Sequence, residues 1–489
     1  MESLLSLQED AFGSIDALQD SLLYSCFEQH EAYLNMLNFS RFLAIGKKGA
    51  GKTAIFRMII NSHRDDVFTA GYNLSDYPWN YHNLQARIGV PDSEKYIQSW
   101  MYLQLISISK ILLNEDQSIP FDQTSSESIE TLRKFIVDSY GTTKPELTNI
   151  FSPLTKVKLS ALSAGFGSFG IQLPAEVVEM KNLPIMIQEV NRTLLDAVLK
   201  CIRPSHKYYI CFDELDIGFG PNDDYLNQII GLLRAARTFN IATAGANKQI
   251  SVCVFLRDDI YDILRFEDKR KFTANCVTRI EWDSARTSNT LQSLMSKRFS
   301  MLLSEPGESI GWDDVFDKKS INGRYKKYNY ITEMTCLRPR DIIDYCNLIL
   351  DAYKKRTVKG VNNCFENSDI VAARSLYSRN LLEEFDDEVH KHLPNYESYL
   401  EVIKKLGKNK FSFSEFQQMY DAHIEDDLDA ETCLINLYKF SIIGNYIIGG
   451  TTGGSQKVFK YKDARNQLDI ELPIIVHPGL VPTLGIREK

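Results

Sequence analysis

The amino-acid sequence predicts an α/β fold in which a parallel β-sheet is followed by a helical lid and a C-terminal winged-helix domain. Three stretches carry that prediction. From Phe42 to Met58 (FLAIGKKGAGKTAIFRM) a short apolar run breaks into glycines and lysines and then resumes as a helix. From Lys207 to Asp216 (KYYICFDELD) β-prone apolar residues end in adjacent acids, as in a buried parallel strand that delivers carboxylates to its C-terminal edge. After about residue 286 the periodicity turns helical, and the chain closes on three helical segments and a hairpin. The expected division is therefore 1–285 for the sheet domain with N-terminal helices and an inserted hairpin, 286–392 for the lid and a bridging helix, and 393–489 for the winged helix.

The first stretch is a full G-x-x-x-x-G-K-[ST] pattern in a strand-then-helix context. Gly46, Gly49 and Gly51 let the backbone bend around phosphate oxygens, with Lys47, Lys48, Ala50 and Ala54 completing the cradle, and the following helix N-terminus adds partial positive charge. Lys52 is placed for the β- and γ-phosphates of ATP and Thr53 for the Mg2+ that accompanies them. In the second stretch Asp213 is expected to hold the magnesium ion through water, and Glu214 to polarise the attacking water. Standing alone, the acids could simply cap the next helix; with a phosphate loop upstream, both halves of one site are present.

Composition sets the limits around this site. At 489 residues the chain exceeds what one core usually serves, and 44% apolar and 25% charged residues are ordinary globular values. A net charge of -8 argues against non-specific coating of nucleic acid, so any DNA contact is local. The N-terminus lacks a basic region and an unbroken apolar stretch, no run reaches membrane-spanning length, and the nine cysteines show no C-x-x-C spacing. A cytoplasmic protein with reduced, buried thiols and no membrane partner is expected.

Along the chain, Leu4 to Leu37 reads as helical from Leu18, Leu22, Leu23 and Phe27. Tyr72 to Pro78 reads as a turn, Ser99 to Leu113 as a buried helix opening at a serine cap, and 114–150 as a polar, peripheral segment. Gly165, Gly167 and Gly170 spell G-x-G-x-x-G, but Pro174 follows closely, and the alternation of Val157, Leu159 and Ala161 predicts a hairpin instead of a dinucleotide site. Helices are expected over Leu183–Lys200 and Tyr225–Arg237, and a third strand over Ile250–Asp259. That strand brings Arg257 to the same sheet edge, either to sense the γ-phosphate or to pair Asp258 or Asp259.

In the lid, Pro339 starts a helix with Arg338 and Arg340 at its positive end, where an arginine implies an anion to bind. A bridging helix runs from Ser368 towards Pro394. The C-terminal helices SYLEVIKKL, SFSEFQQMYDAH and DAETCLINLYKF and the hairpin GNYIIGG–KVFKYKD form the winged-helix pattern. Its wing carries Lys457, Lys460 and Lys462, yet its third helix opens with Asp426, Asp427, Asp429 and Glu431, leaving DNA binding on one side and protein docking or a purely structural role on the other as equal alternatives.

With these parts in order, the chain resembles P-loop ATPases of the origin-recognition and STAND-like branch of the AAA+ superfamily. IGKKGAGKTA, YYICFDELD, VCVFLRDDIYD, LRPRDIIDYC and FKYKD…IIVHPGL are similar to a family of bacterial P-loop ATPases often encoded in mobile or antiviral defence loci. The resemblance implies Walker A roles for Lys52 and Thr53, Walker B roles for Asp213 and Glu214, a sensor at Arg257 and a lid sensor at Arg340. It also implies a homo-oligomer acting with a protein effector. Many STAND proteins lack the glutamate present here as Glu214, which favours hydrolysis over a one-shot switch. A DNA-binding initiator or loader and a non-hydrolysing assembly scaffold are the alternatives.

Overall fold

The long apolar runs of the sequence become the inner strands of one parallel sheet. A computed structural model describes residues 3–488 except 63, 76–78, 80–81, 84–93, 151–155, 159–176, 180–182, 216–222, 357–361, 391, 426–427, 450–453 and 464; for 156–158, 177–179, 183–186 and 223 it describes the backbone alone. The chain forms two compact units, one of His30–Lys48 and Lys52–Ile280, the other of Met1–Gln29, Gly49–Gly51 and Glu281–Lys489.

The first unit contains, in order, α1 (Glu31–Leu37), β1 (Leu43–Gly46), α2 (Lys52–Ile60), β2 (Val67–Asn73), α3 (Ile97–Asn114), α4 (Gln123–Tyr140), β3 (Lys156–Lys158), β4 (Val177–Glu179), α5 (Leu183–Cys201), β5 (Lys207–Asp213), α6 (Asp223–Gly245), β6 (Ile250–Arg257), α7 (Asp258–Ile263), α8 (Lys269–Cys276) and β7 (Val277–Arg279). Five strands pair in the order β2-β5-β6-β1-β7, every pairing parallel. β1, β5 and β6 are buried almost throughout, which explains their continuous apolar sequences. β2 was not anticipated: as an edge strand with Thr69, Ala70 and Gly71 at its centre it is only half-buried, and it takes in Tyr72, expected in a turn.

Three helix expectations need correction. α3 is buried on nearly every side, as expected, but starts at Ile97; Ser99 lies inside it and its hydroxyl donates to the Tyr96 carbonyl at 2.8 Å. Residues 114–150 are not peripheral. They contain α4, whose Ile129, Leu132, Phe135 and Ile136 are buried at helical spacing, and whose start is fixed by a reciprocal Asp122–Ser125 capping box. Residues 4–37 are helical only at Leu4–Ser6, a 3-10 turn, and in α1. Between them Ser14, Asp16 and Asp20 side chains accept backbone N–H groups two residues on, and Gly13 has φ +106°, so local turns outcompete the helix. The glycines and Pro174 of the G-x-G-x-x-G stretch lie outside the described residues, as do Leu159 and Ala161; β3 and β4 on either side of it pair antiparallel.

The second unit holds α9 (Leu291–Leu303), α10 (Trp312–Val315), α11 (Lys327–Met334), α12 (Pro339–Arg356) and α13 (Asn367–Val389). The N-terminal segment packs on them through Phe12, whose ring meets Phe299 edge-on at 5.0 Å, and through a buried Arg298–Asp20 ion pair. Then come α14 (Tyr396–Leu406), β8 (Lys410–Phe411), α15 (Phe413–His423), α16 (Ala430–Lys439), β9 (Ile443–Ile447), β10 (Gln456–Val458), β11 (Ile474–Val476) and α17 (Val481–Leu484). The three expected helices and the hairpin are present, and β11 and β8 extend the hairpin into an antiparallel sheet of order β10-β9-β11-β8. Among the described residues no helix is long and apolar enough to cross a membrane. None of the nine cysteines forms a disulfide, and all except the half-buried Cys364 are buried.

Candidate functional site

The glycine loop joins β1 to α2. Gly49 (φ +73°) and Gly51 (φ +103°) take backbone conformations that side-chain-bearing residues rarely adopt, so the loop bends where the sequence supplies glycine. α2 begins at Lys52 itself, which puts its first N–H groups at the loop. The Lys52 ammonium folds back over this turn and donates to the carbonyls of Gly46 (3.1 Å) and Lys47 (2.9 Å).

The acids come from β5. β6 lies between β1 and β5, so two interstrand steps, roughly 10 Å, separate the two strand ends. α2 bridges that gap: the Thr53 hydroxyl hydrogen-bonds the Asp213 carboxylate, which also accepts the Glu214 backbone N–H. Asp213 is 2% exposed, and burial pushes it up to about 6 against the pull of the Lys52 charge and of those two hydrogen bonds. Its Oδ2 is buried with no hydrogen-bond partner among the described residues. Such an atom costs free energy unless a ligand meets it.

Glu214 leaves the strand with φ +57°, a left-handed backbone uncommon outside glycine, asparagine and aspartate. The turn is pinned on both sides: the Leu74 N–H donates to the Asp213 carbonyl at 3.0 Å, and the Tyr225 hydroxyl, from α6, donates to the Leu215 carbonyl. Sequence reasoning missed Tyr225, because nothing in its local pattern marks it; only the tertiary fold brings α6 back to the end of β5. Asp216 lies outside the described residues.

This donor set fits a nucleotide with magnesium. A loop of glycines at a helix N-terminus suits phosphates, and a hydroxyl beside a buried carboxylate with one unmet oxygen suits a hard divalent cation.

The guanidinium groups of the two sequence-predicted arginines are paired with carboxylates, although the backbone of Arg340 sits at the loop, its N–H donating to the Gly49 carbonyl at 3.5 Å. Arg257 ends β6 in register with Gly46, but its guanidinium forms a two-point ion pair with Asp259, Nε to Oδ1 at 3.0 Å and Nη2 to Oδ2 at 2.6 Å. Arg340, in the second unit, donates from Nη1 to both Glu384 oxygens at 2.9 and 3.0 Å and from Nε to the Ile15 carbonyl at 3.3 Å. Arg338 is buried, with Nε on Asp341 at 3.0 Å and Nη1 on Glu388 at 2.8 Å. At the start of α12 both arginines thus meet carboxylates of this chain.

The hairpin lysines are similarly engaged. Lys457 pairs Glu333 at 2.7 Å, Lys460 donates to the Asn466 carbonyl at 3.1 Å, and burial lowers the pKa of Lys462. On α16, Asp429 is the N-cap and accepts the Thr432 N–H at 2.7 Å, while Glu431 is exposed; Asp426 and Asp427 lie outside the described residues.

Comparisons with known proteins add two likenesses. Residues 289–386, from α9 into α13, match the family model described as the FunZ-associated C-terminal helical domain. Among solved structures, Cdc6p from Pyrobaculum aerophilum is similar at a TM-score of 0.30 and 12% identity, over 93% of this chain and 90% of that one. No curated protein sequence matches the chain.

Proposed function

We propose that the chain is a Mg2+-dependent ATPase whose nucleotide cycle drives a conformational or assembly change. The observation that carries the reading is the Asp213 carboxylate, buried with one unmet oxygen beside Thr53 and Lys52 at the end of a parallel strand. Gly46 to Ala54 would hold the phosphates, with Lys52 at the β- and γ-groups, and Thr53 and Asp213 would hold the magnesium ion. The bound nucleotide supplies a phosphoanhydride bond whose cleavage releases energy. Glu214 orients the attacking water and accepts its proton on a carboxylate oxygen. Arg257 and Arg340 sense the γ-phosphate, each giving up its present carboxylate partner for it.

The domain division at about 285 and 392 belongs to the same proposal, as does the reading of α14 to β11 as a winged helix. The family resemblance is the ground for reading the chain as the regulatory ATPase of a bacterial defence system, cytoplasmic, homo-oligomeric and paired with a protein effector. DNA binding is the weaker alternative: the hairpin lysines are largely engaged within the unit, and α16 opens on acids. The deciding experiment is phosphate release from ATP by the purified chain, with and without Mg2+ and with and without duplex DNA. Magnesium-dependent release indifferent to DNA supports the proposal; stoichiometric ATP binding without release returns the chain to an assembly scaffold.

A further inference from the structure

The left-handed backbone at Glu214 has to be held. A side-chain-bearing residue gives up free energy in that conformation, and the carboxylate's direction depends on the backbone that carries it. On one side β5 and β2 fix the approach through the Leu74 N–H on the Asp213 carbonyl. On the other side Leu215 is 1% exposed, and its carbonyl accepts the Tyr225 hydroxyl.

Tyr225 is itself held in place. Its ring lies 4.8 Å from that of Trp79, Trp79 meets Trp100 at 5.7 Å, and Trp100 meets Phe212 at 6.0 Å. Phe212 is the β5 residue immediately before Asp213. An aromatic chain thus runs from the strand that delivers the acids to the tyrosine that clamps the turn after them; Phe212 and Trp100 belong to the core of this unit, and Trp79 and Tyr225 are partly buried against it.

We propose that Tyr225 is a positioning residue for Glu214: by holding the Leu215 carbonyl, its hydroxyl fixes the turn and with it the direction of the Glu214 carboxylate. The proposal rests on the reading of Glu214 as the general base. Tyr225 touches no reacting atom in this scheme, so its removal acts on turnover through Glu214 and leaves the phosphate loop alone.

The test is a double-mutant cycle of Tyr225→Phe and Glu214→Gln, with kcat, ATP affinity and thermal midpoint measured for each protein. Tyr225→Phe removes one hydroxyl and keeps the ring stack. Turnover is expected to fall roughly tenfold, the scale of one hydrogen bond, with ATP affinity within about twofold of wild type. In the Glu214→Gln background the same change is expected to cost nothing more, because the carboxylate it positions is gone. Unchanged turnover, a matching loss of ATP affinity, or a further tenfold loss in the Glu214→Gln background would each overturn the positioning role. Wild-type turnover in Glu214→Gln alone would instead overturn the general-base reading on which it rests.

Discussion

The end of β5 and the start of α12 both gather charge, and they treat it differently. At α12, each arginine meets a carboxylate of this chain: Arg338 meets Asp341 and Glu388, and Arg340 meets Glu384. At β5, the buried Asp213 receives a hydroxyl and a backbone N–H, but no ion pair forms on it and Oδ2 has no partner among the described residues. Ion pairs within the fold are compatible with a structural role alone, and a desolvated carboxylate with an unmet oxygen carries a cost that a ligand can remove.

The largest effect that sharpens this contrast is at Glu214. Glu214→Gln keeps shape and hydrogen-bonding capacity but cannot accept a proton, so phosphate release should fall at least roughly a hundredfold while ATP binding survives. Unchanged release in the purified variant would remove Glu214 from the chemistry.

Asp213→Asn addresses the cost directly. The folded-state pKa is raised, from 3.8 to about 6, so the protonated acid favours folding below the unfolded value and that advantage is lost as pH rises through about 6. About two pKa units correspond to roughly 3 kcal/mol. Nucleotide-free Asp213→Asn should therefore be more stable than wild type at pH 7.5 by up to that amount, and no more stable at pH 3.5, in urea titrations at the two pH values. Asp344, raised to about 6 chiefly by burial, keeps a second slope in both proteins. A variant less stable than wild type at pH 7.5 would show that the carboxylate is satisfied after all.

How much of this the sequence revealed depends on how local each feature is. The loop glycines, Lys52, Thr53 and the acids of β5 declare themselves because their chemistry requires contiguous residues. The inner strands are equally legible, since burial on both faces forces an unbroken apolar run. β2 and α4 were missed or misplaced because one is a half-buried edge and the other carries a single apolar stripe on a polar helix. The fate of the arginines was harder still to foresee: Glu384 lies 44 positions from Arg340, and only the packing of α13 on α12 brings them together.

A smaller effect separates the two lid arginines. Arg340→Ala should lower turnover by a factor of roughly ten to a hundred while ADP affinity holds, since a charge-assisted contact to the γ-phosphate is worth about 1.5–3 kcal/mol. Arg338→Ala should instead lower the thermal midpoint, because it leaves Asp341 and Glu388 without their buried partner. Equal losses of ATP and ADP affinity in Arg340→Ala would make that arginine structural too. Smaller again is Lys457→Ala, which opens a half-exposed ion pair with Glu333 and should shift stability by no more than about 1 kcal/mol, with no change in ATP turnover.

The most direct test of the central assignment is calorimetric titration of ATP, with and without Mg2+, into the wild-type chain and Lys52→Ala. Wild type should bind ATP more tightly with magnesium present, and Lys52→Ala should lose at least roughly tenfold in affinity with its thermal midpoint retained, because a charge-assisted contact to phosphate has gone from an otherwise intact loop. A well-folded Lys52→Ala that binds Mg-ATP as tightly as wild type would contradict the account, and the unmet Asp213 oxygen would then need another explanation.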